Sequence, residues 1–354
     1  SQQVSVKSVL LNRGGYSYLT GPAVPGKEKQ EAAPAPSGST PSLPWTVRVG
    51  SVVLDDNRAE YGLLNHRPAA GFDPSFIALS TLDLAVDSIY NRGADIALQI
   101  RRMAFTERSG LTVSDMTGDI GMDASGISLA GVTLKTPFSR IEANISAGEG
   151  ILALAPDSPL KAALTADVNT KDLKYLYPAL IPPVLDGRIV SLALTAAGTL
   201  GDIGKAGLDI SSPGHVAFTA DGAARNVLDP DRMEASARFE GDFRDMAFLE
   251  ALLPDSALRR RIAIPDRIRL RGTAGADKGA FSAASTLSTD GGEIALQGQL
   301  DTRSEAYEIE LRCDSFPLNR FLPADSLGLL DLALQARGSG FDPLRAQTRG
   351  NIRL

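Results

Sequence analysis

Residues able to do acid–base, nucleophilic or metal chemistry are few in this chain of 354 residues. It has two histidines, His66 and His215, and a single cysteine, Cys313, which excludes an internal disulfide. A Ser/His/Asp triad would need one of the histidines, and no GxSxG turn presents a serine nucleophile. Two histidines and one cysteine also lack the spacing of a zinc site. The sequence therefore predicts a protein that is not an enzyme and needs no cofactor or metal.

Two weaker patterns resemble ligand sites and are better explained otherwise. Asp115, Asp119 and Asp123 form a loose acidic series, less dense in oxygen ligands than a calcium loop, so solvated strand positions account for it. The glycine-containing stretches 198–201 and 272–275 lack the Gly-Lys-Ser/Thr of a phosphate loop. We therefore expect turns at both stretches.

One basic run stands out. Arg259, Arg260 and Arg261 are followed by arginines at 267, 269 and 271, which alternate with Ile268 and Leu270. Alternation places the second group on one polar face of one strand. This face is either solvated or in contact with lipid phosphate. The net charge of −6 is spread along the chain, which argues against a nucleic-acid partner.

The chain also repeats itself. Three similar segments recur, each amphipathic, ending in proline and followed by a predicted strand. Equivalent positions in them are occupied by Leu173, Met246 and Leu318, at spacings of 73 and 72 residues. Self-similarity at a fixed period indicates stacked units. We expect short helices at Asp172–Leu180, Asp245–Leu253 and Phe316–Leu322, with the repeated units, of period about 72, filling residues 160–354.

The strands that follow these segments have one apolar face. Period-2 alternation predicts that the following side chains lie on it: Val190, Leu192 and Leu194; Ile268 and Leu270; Leu330, Leu332 and Leu334. Similar alternation over most of the chain, with turns every 8–12 residues, predicts an all-β fold. Its core is a long antiparallel sheet curled into an open apolar trough, with a few short helices at the edges. Such a trough is the site that we expect to matter for function.

The N-terminal third adds three expectations. Residues 1–20 form edge strands, with Gly14-Gly15 as a hairpin signal. Residues 21–44, with six prolines, cannot bury enough apolar surface to become ordered and form a disordered loop. Residues 45–159 are the first part of the curled sheet. There, Leu79 is out of phase with Leu82 and Leu84, which predicts a bulge near Ser80.

Several of these stretches resemble the periplasmic β-rich region of the AsmA-like superfamily, especially its TamB-type (translocation and assembly module) branch. The similarity rests on PWTVRV (residues 44–49) leading into VVLDDNRAEY, on the block 71–146, and on the DxxxLxxLLP-type segments followed by a strand and GTxGD. It covers residues 45–354. The resemblance implies a β-taco-like sheet whose apolar groove carries phospholipid acyl chains between the inner and outer membranes, supporting outer-membrane integrity.

The resemblance further implies a periplasmic location, an inner-membrane anchor outside this piece of chain, and an outer-membrane barrel of the BamA/TamA type as a partner. No run approaches the ~20 apolar residues of a membrane span. Two alternatives remain open. One is a scaffold for outer-membrane protein assembly that acts through sheet edges. The other is an adhesin-like β-solenoid, whose rungs would have shorter strands at a shorter period.

Overall fold

A computed structural model describes residues 2–20, 45–64, 66–149, 155–178, 181, 183–246, 263–317, 319, 328–340 and 347–354. Strands make up 73% of these residues, in one long mixed sheet of 19 strands that is not closed. The predicted all-β class is confirmed. Two compact units are present: unit 1 comprises Ser1–Ile151, Leu164–Ile181 and Leu185–Arg188, and unit 2 comprises Leu152–Ala163, Pro182–Val184 and Ile189–Leu354.

Unit 1 is built on long strands. They are β1 (Gln2–Asn12), β2 (Gly15–Thr20), β3 (Trp45–Leu63), β4 (Phe76–Arg92), β5 (Asp95–Glu107), β6 (Thr112–Asp123), β7 (Gly126–Lys135) and β8 (Arg140–Gly148). The next strand, β9 (Pro159–Asn169), has residues in both units. From β3 to β8 each strand pairs antiparallel with the next. The longest, β3, has 19 residues and therefore extends about 60 Å.

The N-terminal strands correct two expectations. Both β1 and β2 pair parallel with β3, so the sheet is mixed rather than wholly antiparallel. The Gly14-Gly15 signal does not form a hairpin, because the chain continues in the same direction past Arg13, which has a positive φ of 52°. Gly14 N–H donates to Asn57 Oδ1 at 2.8 Å, and the buried Asn57 amide donates to Leu11 O. These bonds hold the two strands as one interrupted edge strand.

A line of β-bulges crosses unit 1. The pairing register shifts in every antiparallel pair from β3–β4 to β7–β8. In β4 the shift lies between Ser80 and Asp83, with Thr81 at φ 50°, which confirms the predicted bulge near Ser80. Three freed backbone N–H groups donate to an Asn or Asp side chain of the neighbouring strand: Gly14 to Asn57 (2.8 Å), Asp56 to Asp83 (3.0 Å) and Gly131 to Asn144 (2.8 Å). Aligned bulges bend a sheet, and here their polar groups are satisfied.

The helix α1 (Thr170–Leu176) lies in unit 1, close to the predicted Asp172–Leu180. It begins after Asn169, whose side chain accepts from Lys171 N–H at 3.0 Å as an N-cap. Buried Asp172 accepts hydrogen bonds from Thr136 Oγ1 (2.6 Å) and from Ser139 Oγ. These bonds fix the helix to the β7–β8 turn. Helical hydrogen bonding ends at Tyr177, one residue before a proline.

The other two predicted helices, Asp245–Leu253 and Phe316–Leu322, lie only partly within the described residues. Asp245 and Met246 are not helical, and residues 247–253 lie outside the described part. Phe316 and Pro317 belong to a strand, so the predicted helix start at Phe316 is wrong; Asn319 is helical, and Leu318 and 320–322 lie outside the described part. Within the described residues, the helices with defined bounds are α1 and a short 3-10 helix, Pro183–Leu185, and most of the other two predicted helices lies outside the described part. Across the same residues, no helix has the length and apolar character needed to span a membrane.

Unit 2 is an antiparallel meander of shorter strands. They are β10 (Ile189–Thr199), β11 (Ile203–Ser212), β12 (Val216–Arg225), β13 (Glu234–Arg244), β14 (Arg267–Asp277), β15 (Ala280–Thr289), β16 (Gly292–Asp301), β17 (Ala306–Pro317), β18 (Leu329–Ser339) and β19 (Gln347–Arg353). Residues 199–202 form a turn as predicted. The turn predicted at 272–275 is wrong, because these residues lie within β14 and pair on both sides. Residues 21–44 and Arg259–Arg261 lie outside the described residues.

Candidate functional site: an apolar face of unit 2

The pairing register places the predicted apolar residues on one face of the unit 2 sheet. Residues directly opposite each other in paired strands share a face. Leu192 of β10, Leu270 of β14 and Leu332 of β18 belong to one continuous row across nine strands. That row runs Leu192, Ile210, Phe218, Gly241, Leu270, Leu287, Ile294, Cys313, Leu332.

A second row lies two residues further along the strands. It begins at Leu194, opposite Leu208, and later includes Phe239, Leu296, Leu311, Leu334 and Ile352. The remaining predicted residues lie on the other side of the first row. Val190 is two residues before Leu192 in β10, Ile268 is opposite Phe243, and Leu330 is opposite Phe316. All eight predicted residues are therefore on the same face.

This face is buried unevenly. Cys313 and Phe316 are almost fully buried, at 4% and 5% exposed. Leu194, Leu296 and Ile309, by contrast, are 40%, 44% and 40% exposed, and Ile352 near the end of the chain is 62% exposed. Most other residues of the two rows are half-buried. Within the described part of unit 2, large aliphatic side chains on the apolar face thus remain in contact with solvent.

The opposite face of the same strands is polar and charged. One of its rows contains Asp209, Thr219, Glu240, Arg271, Thr286 and Arg312. Arg267 of the basic run donates two hydrogen bonds to Asp242, at 2.9 and 2.5 Å, and Arg244 donates a third at 2.7 Å. The guanidinium groups of Arg267 and Arg244 hold the pKa of Asp242 well below its usual range. Arg269 is on the same face, opposite Asp242.

A depression of about 610 Å³ opens on this polar face between β13 and β17. Its floor consists of small residues such as Ala284 and Ala295, and Arg238, Arg271 and Arg312 stand around it. Charged side chains surround this hollow, so it suits an aliphatic ligand less well than the apolar face does. The exposed aliphatic side chains on the other face are the better surface for an apolar ligand.

The residues considered for chemistry are used structurally. His66 Nε2 lies 2.8 Å from Oδ2 of buried Asp73, and His215 Nδ1 lies 3.2 Å from the Asp245 carbonyl oxygen. Hydrogen bonds from Ala69 N–H, His66 and Ser75 N–H lower the pKa of Asp73 to about 2.

The acidic series is equally structural. Asp115 lies 3.6 Å from Lys135 Nζ, and Asp123 accepts from Ser125 N–H at 2.7 Å in the β6–β7 turn. No group of three potential metal ligands occurs among the residues described. Cys313 is buried in the apolar row, where its thiol donates to Leu330 O at 3.8 Å.

Sequence reasoning missed most of the apolar face. Ile210 in β11, Phe218 in β12, Phe239 in β13 and Leu296 in β16 belong to it as much as the predicted residues do. The signal was present, because each of these strands also alternates. It could have been found by extending the alternation test to every strand between the repeated segments.

Comparison of the chain with models of known families, with curated proteins and with solved structures finds no match.

Proposed function

We propose that this chain is a lipid-transfer segment that carries phospholipid acyl chains along the apolar face of unit 2. The observation that supports this most directly is the continuity of the first apolar row from β10 to β18, together with solvent-exposed Leu194 and Leu296 in the second row and Ile309 beyond it on the same face. A sealed core would have no exposed leucines in its middle rows. The resemblance described above adds the setting, a periplasmic bridge between inner and outer membranes.

The energetics favour an aliphatic ligand without a specific polar site. Each methylene moved from water onto an apolar surface contributes ~0.8 kcal/mol. Ten methylenes thus contribute about 8 kcal/mol, comparable to the association cost of roughly 4–15 kcal/mol. Weak, non-directional binding of this kind suits a carrier, because the ligand can move between equivalent positions.

The dimensions also fit. Adjacent strands are ~4.8 Å apart, so the nine strand-to-strand steps from β10 to β19 extend over about 43 Å. One leaflet of a bilayer's hydrocarbon core is about 15 Å thick, half of ~30 Å. The apolar face is therefore long enough for acyl chains to occupy successive positions along it.

Photo-crosslinking combined with native mass spectrometry tests the proposal. A photoreactive residue at Leu192 or Leu332 should crosslink to co-purified phospholipid. The matched controls are Ala193 and Ala333, one residue further along the same strands and therefore on the polar face. Equal labelling from both faces, or no phospholipid in the purified protein, contradicts lipid carriage.

A specific observation keeps the scaffold function as a second candidate. The parallel edge formed by β1 and β2 pairs with β3 on one side, and its Leu10 and Tyr18 side chains are largely exposed. An exposed edge can accept a strand from another chain. Crosslinks from Leu10 to a polypeptide, without phospholipid on the unit 2 face, would favour the scaffold over the carrier.

A further inference from the structure

Tyrosines are concentrated at one end of unit 1. The chain has seven, and five of them are in segments that meet where β3 ends and β4 begins: Tyr16, Tyr18, Tyr61, Tyr175 and Tyr177. Each of these five is at least 42% exposed. We call this set, with exposed Leu63, Leu64 and Phe138, the tyrosine end.

Contacts within unit 1 bring these segments together. The rings of Tyr18 and Tyr61 stack at 5.9 Å, and their strands end together at the β2–β3 edge. Phe72 N–H, in the loop between β3 and β4, donates to Leu176 O of α1 at 3.0 Å. The Tyr175 ring lies against Gly110, where a Cβ would be 3.0 Å from the ring and φ is +98°, so glycine is needed. The helix thus presents Tyr175 and Tyr177 beside the strand ends.

The same end carries an excess of exposed cations. Eight Lys and Arg residues lie in its strand ends, turns and helix, against seven carboxylates: Arg58, Arg67, Arg108, Lys135, Arg140, Lys171, Lys174 and Arg188; Glu60, Asp73, Glu107, Asp115, Glu142, Asp172 and Asp186. Asp73, Glu107 and Asp172 are buried, and Asp115, Glu142 and Asp186 form ion pairs with Lys135, Arg140 and Lys174, so the other exposed cations of this end include Arg58, Arg67, Arg108 and Lys171. The whole chain has a net charge of −6, whereas at this end cations outnumber carboxylates by one, and most of the carboxylates are buried or ion-paired. Lys171 Nζ lies 5.1 Å from the centroid of the Phe138 ring, which joins a cation to the apolar surface.

We infer that the tyrosine end docks on the headgroup region of an anionic lipid bilayer. Tyrosine suits that region because its ring is apolar and its hydroxyl remains hydrated, and tyrosines are enriched at membrane interfaces for this reason. Lys and Arg beside them are attracted by anionic headgroups, and the attraction falls off within a Debye length. This contact is separate from the apolar face of unit 2 and does not depend on acyl-chain carriage.

Vesicle co-sedimentation of the full chain provides the test. The probes are vesicles of phosphatidylcholine alone and vesicles in which about a third is replaced by phosphatidylglycerol. We expect binding to the anionic vesicles that decreases with added salt. Each cation removed in R67Q and K171Q should weaken binding about fivefold. The double variant Y18S/Y61S should also weaken it several-fold while leaving the circular dichroism spectrum unchanged.

Matched variants control for charge and for apolar exposure. R238Q/R271Q removes two exposed arginines from unit 2, and L10S removes an exposed leucine from β1, away from the tyrosine end. Both should bind vesicles like the parent protein. The inference is overturned if the controls lose binding equally, or if zwitterionic vesicles bind as well as anionic ones. It is also overturned if sedimentation velocity shows a dimer that R67Q/K171Q and Y18S/Y61S dissociate, since the end would then be a contact between copies.

Discussion

Replacing Leu194 with aspartate separates an accessible apolar face from a sealed one. Leu194 is opposite Leu208 and has lost about three-fifths of its accessible surface, since 40% remains exposed. Full burial of a leucine stabilises a fold by roughly 1.5–3 kcal/mol, so this position contributes about 1–2 kcal/mol. The lower strand propensity of aspartate adds up to ~1 kcal/mol of destabilisation. We therefore expect a loss of about 1–3 kcal/mol.

Cys313 provides the internal control on the same face. Its side chain is 4% exposed, so C313D would bury a carboxylate with no cation in the apolar row. Burying this charge costs several kcal/mol, which is a large part of the ~5–15 kcal/mol free energy of unfolding of an ordinary domain. Leu194→Asn, which matches aspartate in size without the charge, should behave like L194D if the carboxylate at this position remains hydrated.

Thermal unfolding and lipid content are measured on the same samples. One kcal/mol shifts Tm by ~2–4 °C in a domain of this size, so L194D should melt about 2–12 °C below the parent and still unfold cooperatively. C313D should show no cooperative transition at all. L194D should also retain less co-purified phospholipid, because it places a charge in the acyl-chain path. If L194D unfolds as completely as C313D, the face at Leu194 is sealed in solution and the reasoning is refuted.

Further predictions concern unit 1. Asp73 has a folded pKa of about 2 against an ordinary value of 3.8, so the unfolded chain binds more protons than the folded chain between these values. The stabilising effect of ionised Asp73 should therefore be present above pH 4 and be lost as pH falls towards 2. D73N should flatten the low-pH part of a Tm-versus-pH curve. N57A should lower the free energy of unfolding by about 3–5 kcal/mol in denaturant titration, since it leaves the Gly14 N–H and the Leu11 carbonyl without their partner. A loss below 1 kcal/mol would mean that water replaces the Asn57 amide. Thr20 of β2 is opposite Leu63, the last residue of β3, and Trp45 is the first residue of β3, so the two are roughly 60 Å apart. The 24 residues of 21–44 can extend at most about 80 Å. Deleting twelve of them should therefore detach β1 and β2 from β3 and speed up their amide hydrogen exchange, while deleting four should not.

Alternation along the chain determined the strand class and the apolar faces, because side chains of a strand point to opposite sides regardless of what the strand pairs with. The sequence also shows where the alternation of apolar residues changes phase along a strand. Apolar residues of β1 shift phase between Val6 and Val9, and the paired Val49 and Val52 of β3 shift at the same place. The amphipathic segment likewise placed the start of the first helix at Asp172, two residues from the start of α1 at Thr170.

Only the tertiary structure decided the direction of pairing, the partners of each row and the exposure of individual residues. Gly14-Gly15 has the local chemistry of a hairpin, yet β1 and β2 pair parallel with β3, since bonds to Asn57, 43 residues away from Gly14, outweigh the local preference. Leu194 and Cys313 are both alternating strand residues, and one is exposed while the other is buried. Their difference depends on what lies over each residue, and alternation carries no information about that. The gathering of five tyrosines is likewise a property of which strand ends meet.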